Sequence, residues 1–136
     1  MSAHAVKDAV INAIETREFD FICLNFANGD MVGHTGIYEA IRKAVKTVDV
    51  CSGAVIKAAR NNGYEVLVIA DHGNDDMAVN EDGSPNTAHS LNPVPSILIS
   101  DDYKSIKEGI LADVAPTLLT IMGVEIPKEI TGKVLV

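Results

Sequence analysis

The chain has 136 residues, of which 47% are hydrophobic and 22% charged, and its formal net charge is −8. That length suits one globular domain with its own core, and the acidity argues against a nucleic-acid partner. No apolar run approaches the roughly 20 residues that cross a bilayer. The start, Met1-Ser2-Ala3-His4, lacks the basic-then-apolar pattern of a signal peptide, so the expectation is a cytoplasmic protein with no membrane partner.

Ser2 to Thr16 reads as a helix. Ser2 caps it, and Val6, Ala9, Val10, Ala13 and Ile14 form one apolar stripe. Asp20–Phe26 reads as a buried strand that runs into a polar loop, Asn28-Gly29-Asp30-Met31-Val32-Gly33-His34-Thr35-Gly36. From Ile37 to about Arg60 a long helix is predicted by the recurrence of Ile37, Ala40, Ile41, Ala44, Val48, Cys51, Val55 and Ala58, with Gly63 just past its end. Glu65–Ala70 is a second apolar strand, and it ends abruptly in Asp71-His72-Gly73-Asn74. Asn74–Ala88 is turn-rich, with Asp82-Gly83 as a hairpin signal and Asp75, Asp76, Glu81 and Asp82 as solvated acids. Asn86-Thr87-Ala88-His89-Ser90 leads to a third strand, Ser96–Ser100. Asp113 is the expected N-cap of a helix ending at Gly123, and Glu125–Val136 is an irregular tail. Cys23 and Cys51 read as reduced, buried thiols.

This order predicts an α/β fold with a partial, mainly parallel sheet flanked by helices. Three strands make a small sheet with open apolar edges, which points to part of a larger domain.

Charge is distributed unevenly. No Lys or Arg lies between Glu18 and Ile41 or between Asn61 and Tyr103, yet these stretches hold 12 of the 19 acidic residues. They also hold Asp30, His34, Asp71, His72 and His89, all beside predicted strand ends. Carboxylates clustered without positive charge are costly unless they spread into solvent or meet a cation from elsewhere. Nucleophilic catalysis by Ser90 or Thr35 lacks a recognisable nucleophile elbow. A metal site fits better, because carboxylate and imidazole together suit Mn²⁺, Zn²⁺ or Co²⁺. The bland alternative is that Asp71-His72-Gly73 is a turn and Asp30 a helix cap.

The run Asn25-Phe26-Ala27-Asn28-Gly29-Asp30-Met31-Val32-Gly33-His34-Thr35-Gly36 resembles the signature of the cofactor-independent phosphoglycerate mutases of the alkaline phosphatase superfamily. Ala70–Asn74, Thr87–Pro95, Asp113–Leu119 and Thr131-Gly132-Lys133 match further motifs of that family. The resemblance implies a metal-dependent isomerase of glycolysis and gluconeogenesis. It interconverts 3-phosphoglycerate and 2-phosphoglycerate through a phosphoserine, usually with two Mn²⁺ (Zn²⁺ or Co²⁺ as alternatives) and without 2,3-bisphosphoglycerate. By the match, Asp30, His34 and His89 hold one ion, and Asp71 and His72 hold part of the second. The resemblance also implies that residues 1–136 are the C-terminal portion of the phosphatase-like domain, lacking the nucleophile segment and the substrate-binding domain. The chain alone is then expected to be inactive, and its uncovered sheet edge to favour a homodimer. A phosphatase, phosphodiesterase or phosphopentomutase of the same superfamily, or a non-catalytic metal-binding module, are the alternatives.

Overall fold

The computed structural model describes residues 2–136 as two compact units, one made of residues 2–64 and 72–93 and the other of residues 65–71 and 94–136.

The first unit is built on two helices. Helix α1 (Ala3–Thr16) is capped as expected, with Ser2 Oγ accepting from the Ala5 N–H at 3.3 Å. Arg17, in the left-handed region at φ 56°, closes it. Helix α3 (Tyr38–Asn61) runs within a residue of the predicted span and ends at Gly63, whose φ of +83° suits a residue without Cβ. Helices α1 and α3 pack together, and Ala3 and Ile14 of α1 and Ile41, Ala44, Cys51, Val55 and Ala59 of α3 are buried. His4 stands 3.6 Å from the Cys51 sulfur on this side of the unit. Between them lies a short helix that the sequence did not announce, α2 (Asn28–Gly33), packed on α3.

The segment Asp20–Phe26 is not a strand. It forms no ladder among the described residues, and Phe21 and Cys23 are exposed rather than buried. An apolar run becomes a strand only when a partner backbone satisfies its N–H and C=O groups. The hairpin expected at Asp82-Gly83 is present, with Val79 bridging Pro85 and the Asp82 carboxylate accepting from the Ser84 N–H and hydroxyl.

The second unit holds strands β1 (Val66–Ile69) and β2 (Ser96–Ile99), helix α4 (Val114–Ile121) and the C-terminal tail. The mixed helix–strand class is as predicted, but the sheet is not parallel. β1 and β2 pair antiparallel, with Val66 opposite Ile99 and Ile69 opposite Ser96. A parallel return needs a crossover, usually a helix. The chain between the two strands offers only a hairpin and the 3₁₀ turn Asp75–Met77.

Asp113 also departs from expectation. It precedes α4, but its carboxylate accepts from the Lys133 N–H at 2.7 Å and the Ile110 N–H at 2.9 Å instead of capping the helix. Those two bonds outweigh burial and hold its carboxyl below the ordinary aspartate range. Thr117, fully buried, donates to the Asp113 carbonyl and accepts from the Leu135 N–H at 3.0 Å. The tail passes so close to Ala112 that no side chain fits at Gly132. The C-terminal segment, irregular by sequence, is thus fastened to the start of α4 at two points. Thr117→Val keeps the shape and strands the buried Leu135 N–H. It is expected to destabilise this unit by about 1–3 kcal/mol, read as a lower urea midpoint.

Candidate metal centre

The site grows from α2. Asp30 lies in the first turn of this helix and His34 follows one turn later, so both side chains share a face. Two glycines in six residues make a poor helix on propensity alone, but Gly33 is required for another reason. A Cβ there would fall 2.5 Å from the Asn74 side-chain oxygen and 2.7 Å from Asp75 Oδ1. The bare glycine lets Asn74, itself buried, reach across and donate to Asp30 Oδ1 at 3.2 Å.

The same oxygen is the centre of the cluster. His89 Nε2 lies 3.1 Å from it, His34 Nε2 3.2 Å and His72 Nε2 3.8 Å. Asp30, His34 and His89 each offer a ligand atom within 4.8 Å of the others. Edges of about 3 Å between one oxygen and two imidazole nitrogens suit neighbouring ligands on a single ion whose bonds are about 2.0–2.2 Å. The donor set is therefore compatible with a divalent metal. His34 Nδ1 meets the Thr87 carbonyl at 2.8 Å, which fixes the ring as the tautomer protonated on Nδ1 and turns Nε2 toward Asp30. Burial pushes the Asp30 carboxyl up, but the Asn74 amide, the His89 ring and the positive potential of His34 and His72 prevail and hold it below its ordinary value. A carboxylate kept ionised is ready to bind a cation without first losing a proton.

Three of the five residues singled out by sequence thus lie together. His72 joins them from the loop after β1, and its ring stacks on that of His89 with centroids 3.7 Å apart and planes 14° apart. Asp71 is exposed and belongs to the unit of β1. Sequence reasoning passed over Thr87, which contributes only its carbonyl, and the acids after Asn74. Asp76 is not merely solvated, because it accepts from the Asn92 amide at 2.7 Å and the Ser90 hydroxyl at 2.8 Å. These two bonds hold its carboxyl below the ordinary range and tie down the segment next to His89.

Asp75 behaves in the opposite sense. Its Oδ1 is enclosed without a hydrogen-bond partner, and burial, then the charges of Asp30 and Asp76, push its carboxyl up. A carboxyl raised in the folded state contributes stability only while protonated, and that contribution is lost as pH rises through the folded pKa. Asp75→Asn is therefore expected to melt higher than wild type at neutral pH in chelator. The gap should narrow as pH falls through the raised pKa of the wild-type carboxyl, where its protonated form takes over.

An aspartate and two histidines sharing one oxygen-centred cluster, in a chain of mixed helix–strand class, offer the donor set of a metalloenzyme. The chain belongs to the Metalloenzyme superfamily, whose family profile matches residues 1–126. It is 59% identical to the 2,3-bisphosphoglycerate-independent phosphoglycerate mutase of Parabacteroides distasonis and 58% identical to that of Bacteroides thetaiotaomicron. In both cases all of this chain is matched, and it spans 27% of the relative's length. Among solved structures, the phosphoglycerate mutase of Leishmania mexicana, studied at low cobalt concentration, superimposes with a TM-score of 0.85 at 29% identity. The match covers 98% of this chain and 28% of that one. Among the described residues, no helix is long and apolar enough to cross a membrane.

Proposed function

We propose that this chain is the metal-binding part, the C-terminal portion of the phosphatase-like domain, of a phosphoglycerate mutase that needs no 2,3-bisphosphoglycerate. The observation that carries the reading is the convergence of Asp30, His34 and His89 within 4.8 Å on one face of the first unit. A divalent ion held there supplies positive charge and Lewis acidity for a phosphoryl group. Mn²⁺ is the proposed physiological ion, with Zn²⁺ and Co²⁺ compatible with the same donors. Asp71 and His72 are proposed as ligands toward a second ion.

The chain's own groups do the holding. Asp30 offers an ionised oxygen, the Thr87 carbonyl presents His34 through Nε2, and the Asp76 network anchors the stretch that carries His89. The serine that takes the phosphoryl group in the proposed scheme is not among these residues, so the chain by itself is proposed to bind metal without catalysing transfer. The proposed setting is glycolytic and cytoplasmic. Exposed apolar side chains on the first unit, Phe19, Phe21, Val45 and Val50 among them, support self-association of the isolated chain.

Calorimetric titration of the chelator-treated chain with Mn²⁺ tests the metal reading, and His89→Ala should remove the binding. Assay of a full-length protein carrying this sequence with 3-phosphoglycerate tests the mutase reading. Formation of 2-phosphoglycerate without added 2,3-bisphosphoglycerate is the expected result, and release of free phosphate as the main product would place the protein among phosphatases instead.

A further inference from the structure

We infer that His72 is a positioning residue for His89, acting through the face of its ring on the first metal site. The inference rests on the reading of Asp30, His34 and His89 as ligands and adds to it the group that aims the third of them.

The two histidine ligands are oriented by different means. His34 is held at its rear nitrogen by the Thr87 carbonyl, 2.8 Å away. The His89 side chain is 47% exposed and sits in a segment without regular structure, where a free imidazole would sample several rotamers. Besides the 3.1 Å contact of its Nε2 with Asp30 Oδ1, its constraint is a ring face. His72 lies parallel to it, with centroids 3.7 Å apart and planes 14° apart, while His34 meets it at 5.3 Å and 39°.

The backbone puts the two rings together. Ser90 donates its N–H to the Gly73 carbonyl at 2.8 Å, and the two residues form an antiparallel bridge. His72 and His89 each precede one member of that bridge, which makes them diagonal cross-strand neighbours within reach of aromatic side chains. A Cβ at Gly73 would fall 2.1 Å from the Ser90 hydroxyl oxygen, so the glycine permits the close approach. The Asp76 carboxylate accepts from the Ser90 hydroxyl at 2.8 Å and holds it in place.

Parallel rings at this separation also define what His72 does not do. An imidazole binds a metal along its nitrogen lone pair, in the plane of the ring. Two rings stacked in near-parallel planes keep their in-plane lone pairs in separate planes, so those of His72 and His89 do not converge on one ion while the stack holds. Its face serves His89, while its Nε2 stands 3.8 Å from Asp30 Oδ1, farther than those of His34 and His89.

The test compares His72→Ala, which removes the face, with His72→Phe, which keeps a face and removes both nitrogens. Each chain is titrated with sub-stoichiometric Co²⁺, so that only the tighter site fills, and followed by calorimetry and visible absorption. Aromatic stacking of ordinary strength predicts that the alanine chain binds about two- to tenfold more weakly. The phenylalanine chain should stay within about twofold of wild type. Equal losses in both would show that the nitrogen matters and overturn the inference, as would no loss in either. His72→Gln, which also lacks a face, replaces the alanine chain if that chain does not fold.

If the wild-type chain takes up no Co²⁺, the metal reading of the three ligands fails, and the stack is judged separately by proton NMR of the metal-free chain. The His89 ring protons should be shifted upfield by the neighbouring face, lose that shift in His72→Ala and keep it in His72→Phe. A shift unchanged in His72→Ala would overturn the inference by itself.

Discussion

Asp30→Ala is expected to lower the affinity of the chain for Mn²⁺ or Co²⁺ by at least about 100-fold, because even the partners that merely orient a ligand are worth 10–100-fold. One oxygen of Asp30 is the meeting point of His34, His89 and the Asn74 amide, with His72 just beyond. Removing it takes away the only carboxylate of the triad and leaves the imidazoles with no common centre. Asp30→Asn separates charge from shape. The amide still offers an oxygen to the histidines, so folding should survive while metal affinity falls nearly as far. Titration calorimetry of the two variants beside wild type reads the difference. An Asp30→Ala chain that binds as tightly as wild type would move the site elsewhere.

The largest effect on folding is expected from Gly132→Ala. A Cβ at this position would sit 2.1 Å from the Ala112 carbonyl oxygen and 2.8 Å from its carbon. Both are backbone atoms, so no side chain can swing aside to relieve the overlap. The tail or the turn ahead of α4 must move, and either movement pulls on the bonds from the Lys133 and Leu135 N–H groups to Asp113 and Thr117. Overpacking of a closed contact typically costs up to about 3 kcal/mol, and this contact belongs at the upper end. Urea denaturation followed by circular dichroism measures it. Gly53→Ala, at a helical glycine with open space around its Cβ, serves as the control and should cost nothing of that order.

The long helices were legible because their apolar residues recur at the helical period and their ends carry the residues that ends require, Ser2 before α1 and Gly63 after α3. The strands β1 and β2 were legible as apolar runs, but their relative direction was not. Direction depends on what connects two strands, and the turn-rich stretch between them contained no crossover helix to read. Helix α2 was hidden by its own composition, since Asn-Gly-Asp-Met-Val-Gly favours a loop until packing on α3 decides otherwise. For the site, the residue types of Asp30, His34 and His89 beside apolar runs were enough to nominate them. Thr87 was invisible because it works through a carbonyl that any residue would supply. The face of His72 was invisible because it depends on a bridge between Gly73 and Ser90 that no local pattern announces.

The exposed turn at Glu81-Asp82-Gly83 divides the chain in a particular way. Asp30, His34, His72 and strand β1 precede it, whereas His89 and strand β2 follow it. A single nick in that turn would therefore leave each compact unit shared between two peptides, neither of which carries a whole sheet or a whole ligand set. The pieces would have to reassociate to rebuild either, and the returning metal affinity would report that they had done so. Metal uptake at the proposed site would then serve as the readout of fragment complementation.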